Sequence, residues 1–238
     1  DADMMVMTMP DLGQYHLKRS YLRKDMEYVY VYHAMIVGPQ TVRKGATQYY
    51  DTLLCTGEEH MRMEKVIESY YHWTPRKAIA CGYPLLDEMI ASYEKQAETA
   101  KTGKKKILIA PSYQPDNIMD SCLIPLITAL CKLGYGVALR PHPQYIKLFP
   151  MQFADIVNQC ATFEGDGFQI ETDFGSNDTV YNADLLITDW SSIAYEYAFT
   201  TLKPVLFIDT PMKVINPDYL EYGLTNPADI RLRNVVGI

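Results

Sequence analysis

The stretch Ala183-Asp184-Leu185-Leu186-Ile187-Thr188-Asp189-Trp190-Ser191-Ser192-Ile193-Ala194-Tyr195-Glu196-Tyr197 carries the densest chemical signal in the chain. Residues 185–188 form a short apolar run, the pattern of a strand buried on both faces of a parallel sheet. A polar turn follows, and helical spacing begins at the serines. Hydroxyls and backbone N–H groups gathered at a helix N-terminus form an anion site. Ligands of open α/β sheets bind beyond the carboxyl ends of the strands. Two readings of the turn stay open and are compatible: Asp189 or Ser191 caps the helix, or the turn holds a phosphate or nucleotide.

Outward from this stretch the same punctuation recurs. Short apolar runs occupy 5–8, 28–32 (YVYVY), 52–55, 78–80, 107–110, 137–139 and 205–208. Helical spacing fills 58–71, 117–133 and 192–199, with Gly134 where a C-cap would fall. Strands alternating with helices predict βαβ units and a doubly wound sheet. The polar run 92–104 lacks sustained apolar periodicity and reads as a linker. It divides a first α/β domain, 1–91, from a second, 105–238. Lysines 101, 104, 105 and 106 read as solvated, with contact to lipid phosphates as the alternative.

Composition excludes several classes. Of 238 residues, 48% are apolar and 21% charged, which argues against wholesale disorder. The formal net charge of −7 argues against a nucleic-acid partner held by bulk charge. The most apolar stretch, 122–139, is interrupted by Pro125, Lys132 and two glycines and does not read as a membrane span. No basic segment followed by an apolar core marks a signal peptide. The five cysteines are widely spaced without a CxxC pair, so buried thiols in a reducing cytoplasm are expected. The chain begins Asp1-Ala2-Asp3 and runs straight into a strand, so it reads as a piece of something longer.

Three more strand ends carry chemistry. Leu139-Arg140-Pro141-His142-Pro143 places a guanidinium and an imidazole in a turn stiffened by two prolines. Tyr32-His33 ends the YVYVY run in the other half. If the two sheets face one another, His33 and His142 share a crevice; otherwise they are unrelated surface histidines. Pro111-Ser112-Tyr113-Gln114 follows the run at 107–110, and Ser112 can reach the same phosphates. Cys81-Gly82-Tyr83-Pro84 reads as a hinge. His60 and Glu64, four apart on a helix, allow a metal pair, but a solvated helix face is the favoured reading. There is no Walker loop, GxGxxG, GxSxG or HExxH.

In order and spacing, GYPLLD (82–87), KKILIAPSYQ (105–114), LRPHP (139–143) and DLLITDWSSIAYEYAFTTLKPVLF (184–207) resemble the CDP-glycerol glycerophosphotransferase family, the teichoic-acid primases and polymerases of bacterial envelopes. The resemblance covers about half the chain. It implies a GT-B fold: two Rossmann-like domains with parallel sheets around a cleft, the first incomplete here. It implies transfer of glycerol phosphate, or a related alditol phosphate, from a CDP-activated donor to a membrane-linked saccharide or polymer. No cofactor or metal is implied. The implied partners are the nucleotide donor, a lipid-linked acceptor and the inner face of the cytoplasmic membrane, with the protein cytoplasmic or peripheral.

By position, His33 would be the general base toward the acceptor hydroxyl. His142, Arg140, Ser191 and Ser192 would bind the donor diphosphate and stabilise charge on the leaving nucleotide. Ser112, Thr188, Asp189 and Glu196 complete the expected donor site. The chain departs from the family pattern at Tyr32-His33-Ala34, where Trp-His-Gly is usual. It also departs at Gln114, where Arg is usual, and at Glu196, where Asp is common. A GT-B glycosyltransferase using a nucleotide sugar, and a nucleotide-binding module without catalysis, are the alternatives.

Overall fold

Four short runs pair in parallel in the order β1 (Met4–Met7), β2 (Glu27–Val31), β3 (Thr52–Cys55) and β4 (Lys77–Ala80), with α1 (Glu58–Tyr70) between the last two. The molecule is a computed structural model describing residues 2–97, 103–163, 165, 167–224 and 228–238. Contacts divide it into two units, Asp1–Leu85 with Val214–Arg231, and Leu86–Lys213 with Leu232–Ile238. In the first unit Tyr28, Tyr30, Tyr32, Tyr50, Leu53 and Cys55 build the core. β-branched and aromatic side chains suit such a pleated, buried surface. Val29 is buried too, so β2 is covered on both faces, as the alternating YVYVY run requires.

The return of the chain to this unit was not expected from the sequence, which assigned everything after 105 to the second domain. Ile215 and Asn216 N–H groups donate to the Gln40 carbonyl at 2.8 and 2.9 Å. Tyr71 hydroxyl meets Asp218 and Tyr222, each at 2.8 Å. Buried Tyr222 packs with Met63 and Ile67 of α1.

The second unit runs α2 (Pro84–Ala97), β5 (Lys106–Ile109), α3 (Ile118–Ser121), α4 (Leu123–Lys132), β6 (Gly136–Leu139), α5 (Pro143–Leu148), α6 (Pro150–Cys160), β7 (Phe168–Ile170), α7 (Asp178–Asn182), β8 (Leu185–Thr188), α8 (Ile193–Thr201), β9 (Val205–Phe207) and, from Leu232 on, the end of α9 (Ala228–Val236), whose start belongs to the first unit. Its sheet is fully parallel in the order β7-β6-β5-β8-β9. Alternate residues of β5 fill two separate cores. Ile107 and Ile109 join Ile118, Ile127 and Leu139 on one side, while Leu108 and Ala110 join Leu186, Ala194 and Tyr197 on the other. Each buried aliphatic side chain contributes about 1.5–3 kcal/mol, so a strand covered on both faces repays an uninterrupted apolar run.

Two differences from the sequence reading have local causes. The expected helix over 117–133 breaks at Cys122 (φ −142, ψ 8) into α3 and α4. Pro125 lacks the N–H that a continuous helix would need and its ring would clash with the carbonyl four residues earlier. At the other end Gly134 (φ 83) closes α4 in a Schellman motif, its N–H on the Cys131 carbonyl and the Tyr135 N–H on that of Leu130. The expected linker is helical through Ala97, because α2 buries Met89 and packs Tyr93 against its own unit's core. Residues 98–102 of that linker, Lys101 among them, lie outside the described residues. No disulfide forms among the described residues; Cys55 and Cys160 are buried as expected, and Cys81 is exposed.

Candidate active site

β5 lies between β6 and β8 in the sheet. The chain crosses to opposite sides of β5, so the β5/β8 junction is the topological switch point where ligands of such sheets bind. Because all strands are parallel, the loops after Ile109, Leu139 and Thr188 leave from one edge, about 5 Å apart in the hydrogen-bonding direction. Those loops carry Ser112, Arg140 with His142, and Ser191 with Ser192.

Asp189 holds this edge together. Its carboxylate is 1% exposed and accepts the backbone N–H groups of Ser112 (2.8 Å), Trp190 (2.7 Å) and Ile118 (3.2 Å). Thr188, fully buried, donates its hydroxyl to the Ala110 carbonyl at 2.6 Å. Ser112 is also buried and its hydroxyl bonds the Gln114 side chain. These three residues, expected to touch the donor, lie beneath the edge and fix its loops.

The turn above them is differently disposed. Ser191 and Ser192 are half-buried, and no side chain caps α8, although Ser192 occupies the N-cap position (φ −65, ψ −19). Of the two readings left open for this turn, capping by Asp189 or a serine is therefore not realised; the Ala194 and Tyr195 N–H groups turn back onto the Ser191 and Ser192 carbonyls at 3.3 and 3.1 Å, and among the described residues those of Ser192 and Ile193 keep their anion-binding capacity. Glu196 sits half-buried in that first turn. Trp190 is pinned from below: its indole N–H donates to the Thr210 carbonyl at 2.9 Å, and the Arg233 guanidinium stacks on its ring at 4.3 Å.

Arg140 is already engaged. Its guanidinium pairs with Glu171 at 3.0 Å, donates to the Ser176 carbonyl at 2.9 Å and is 9% exposed. That geometry braces the β6–α5 turn against the loop after β7 rather than presenting a fork to a ligand. His142 is the N-cap of α5, and its Nδ1 accepts the Gln144 N–H at 3.0 Å. An accepting Nδ1 selects the tautomer that carries its proton on Nε2, a donor for a phosphate oxygen. The Tyr113 ring lies 4.7 Å from the imidazole.

In the first unit, His33 is exposed at the carboxyl end of β2, and its carbonyl accepts the Tyr83 hydroxyl at 3.2 Å. His60 and Glu64 do not form a solvated face. Glu64 is 1% exposed, pairs with Arg76 at 3.2 Å and accepts the Tyr32 hydroxyl. Among the described residues no group of three acidic, Cys or His side chains could hold a metal ion. His60 is 8% exposed, with Nδ1 beside the Thr56 hydroxyl at 3.2 Å and Nε2 without a partner. Burial lowers its pKa from 6.5 to about 4. The folded chain therefore keeps this imidazole neutral where the unfolded chain protonates it. Stability present above about pH 6.5 drains as pH falls toward 4, by about 3 kcal/mol for this group. His60→Gln is expected to flatten that slope in denaturant midpoints measured from pH 7 to 4; an unchanged slope would place the titration elsewhere.

Sequence reasoning missed Tyr113 and Lys213, which stands 4.1 Å from the Tyr113 ring. Lys213 follows an edge strand end, a position marked by nothing in the local sequence.

A family model described as CDP-Glycerol:Poly(glycerophosphate) glycerophosphotransferase matches residues 14–223. The chain is 26% identical over 172 residues to a teichoic acid glycerol-phosphate primase of Bacillus subtilis (strain 168), covering 69% of this chain and 41% of the relative. It thus spans less than half the length of that relative. Among solved structures it is similar to the wall teichoic acid polymerase TagF in a form soaked with CDPG (TM-score 0.58, 16% identity, 100% of this chain and 60% of that one). It is also similar to a Methanocaldococcus jannaschii UDP-GlcNAc 2-epimerase in complex with UDP-GlcNAc and UDP (TM-score 0.57, 12% identity, 98% and 68%). Each unit's parallel sheet fits a GT-B-like fold. With the matched region running through both units, the chain belongs to the CDP-glycerol:poly(glycerophosphate) glycerophosphotransferase family.

Proposed function

We propose that the chain transfers glycerol phosphate, or a related alditol phosphate, from a CDP-activated donor to a hydroxyl of a membrane-linked saccharide or polymer. The acceptor oxygen attacks the phosphorus that bears the alditol. The bond from that phosphorus to the oxygen bridging the two phosphates breaks, and CMP leaves with the electron pair. His33 takes the hydroxyl proton. The N-terminus of α8, with the Ser191 and Ser192 hydroxyls and the Nε2–H of His142, receives the charge that develops on the leaving phosphate. Asp189, Thr188, Ser112 and Arg140 act through the loops they hold. The N-terminus of α8 at the switch point, with no side-chain cap and with the Ser192 and Ile193 N–H groups open, is the observation that carries this reading. The proposed contact with the lipid-linked acceptor is peripheral; among the described residues no helix is long and apolar enough to cross a membrane.

Calorimetric titration tests the donor. CDP-glycerol is expected to bind more tightly than UDP-GlcNAc, and the S191A/S192A double variant to lose about 10-fold or more of that affinity, the worth of a hydrogen bond to a charged oxygen. Tighter binding of UDP-GlcNAc would transfer the assignment to a nucleotide-sugar enzyme.

A further inference from the structure

We infer that Lys213 is a further donor-binding residue: its ammonium, held at the same sheet edge as Ser191 and His142, meets the phosphate oxygens of the nucleotide diphosphate. The inference rests on the donor reading above and adds a residue that no motif marks.

Placement is the first argument. The segment leading into Lys213 is anchored to two of the loops of the site. The Trp190 indole donates to the Thr210 carbonyl at 2.9 Å, and the Gln114 amide to the Pro211 carbonyl at 3.5 Å. Lys213 Nζ then lies 4.1 Å from the centre of the Tyr113 ring, whose own centre is 4.7 Å from the His142 imidazole. No more than one aromatic ring separates the ammonium from the imidazole already assigned to the donor.

The second argument is an unanswered charge. Lys213 is half-buried, yet among the described residues its ammonium makes no hydrogen bond or ion pair beyond the Tyr113 face. Asp189 is within electrostatic reach, but its oxygens are taken up by the N–H groups of Ser112, Trp190 and Ile118. Arg140, by contrast, is neutralised by Glu171. Desolvation accordingly lowers the pKa of Lys213 to about 8, against the partial support of Asp189. A cation withdrawn from water without a counter-ion is costly to the folded chain. A ligand that brings the anion removes that cost, and a lysine binds phosphate as a compact point charge.

The test compares wild type, Lys213→Met and Lys213→Arg as full chains. CDP-glycerol, CDP, UDP-GlcNAc and cytidine are titrated by calorimetry, and melting is followed without ligand. Lys213→Met is expected to weaken CDP-glycerol and CDP by about 10-fold or more. Cytidine binding should stay unchanged, and the ligand-free melting temperature should equal or exceed that of wild type. Lys213→Arg should restore most of the affinity. The inference is overturned if Lys213→Met binds CDP-glycerol like wild type. It is equally overturned if affinity falls only together with melting temperature, or if cytidine binding falls by the same factor. If wild type prefers UDP-GlcNAc and Lys213→Met loses that affinity, the cytidine donor is wrong and the anion role of Lys213 stands. If wild type binds no nucleotide diphosphate, both readings fall.

Discussion

Replacing His142 by alanine is expected to lower CMP release from CDP-glycerol by at least ~100-fold, the range over which a positioned proton donor or base acts. The same side chain also caps α5, a helix of six residues, so the two roles need separating. His142→Asn does this. Asparagine accepts the Gln144 N–H as well as histidine does, but it offers no imidazole N–H at the Nε2 position. The alanine variant should lose about 1 kcal/mol of stability with the cap and the asparagine variant almost none, while both lose the activity. An active His142→Asn would reduce His142 to a cap. His33→Ala provides the matching control. Its imidazole makes no hydrogen bond among the described residues, so the substitution should leave melting unchanged while lowering the rate by a similar factor. If neither histidine variant slows transfer by ~100-fold, a nucleotide-binding module without catalysis becomes the better account.

The strands were legible because the signal that specifies them is local. Runs such as 107–110 and 185–188 are apolar on both faces, and β5 and β8 form there. β7 escaped notice because it is three residues long and follows a glycine-rich turn. The helical end of α2 was hidden by its polar surface: Met89 and Tyr93 are enough to dock it, and neither makes a visible stripe. At the site, the residues were found but their orientations were not. Whether Thr188 and Asp189 face a ligand or the sheet depends on β5 lying beside β8, a pairing across more than 70 positions. Arg140 looked available because its partner Glu171 is remote in sequence. His60 and Glu64 looked solvated because Arg76, which draws Glu64 inward, enters from the other end of α1. Local pattern sets the elements, whereas the pairing of polar groups is decided by topology.

Asp189→Ala is expected to be among the most destabilising single changes in the second unit, although the carboxylate touches no ligand in the proposed reaction. The substitution strips the acceptor from the N–H groups of Ser112, Trp190 and Ile118 at a position 1% exposed. Each buried donor left without a partner costs about 1–3 kcal/mol, so a loss of about 3 kcal/mol or more follows. Asp189→Asn should fall between wild type and alanine. Its carbonyl oxygen keeps the bonds to Ser112 and Trp190, while its amide sets a donor against the Ile118 N–H. Amide hydrogen exchange resolves the event locally. In Asp189→Ala the three N–H groups should exchange faster together, while those of β6 stay protected. CDP-glycerol affinity should drop with them, because the loops on either side of the switch point lose the anchor they share. Melting within ~0.5 kcal/mol of wild type, with those amides still protected, would mean that the hydroxyl of Thr188 on the Ala110 carbonyl suffices to hold β5 and β8 in register at the site.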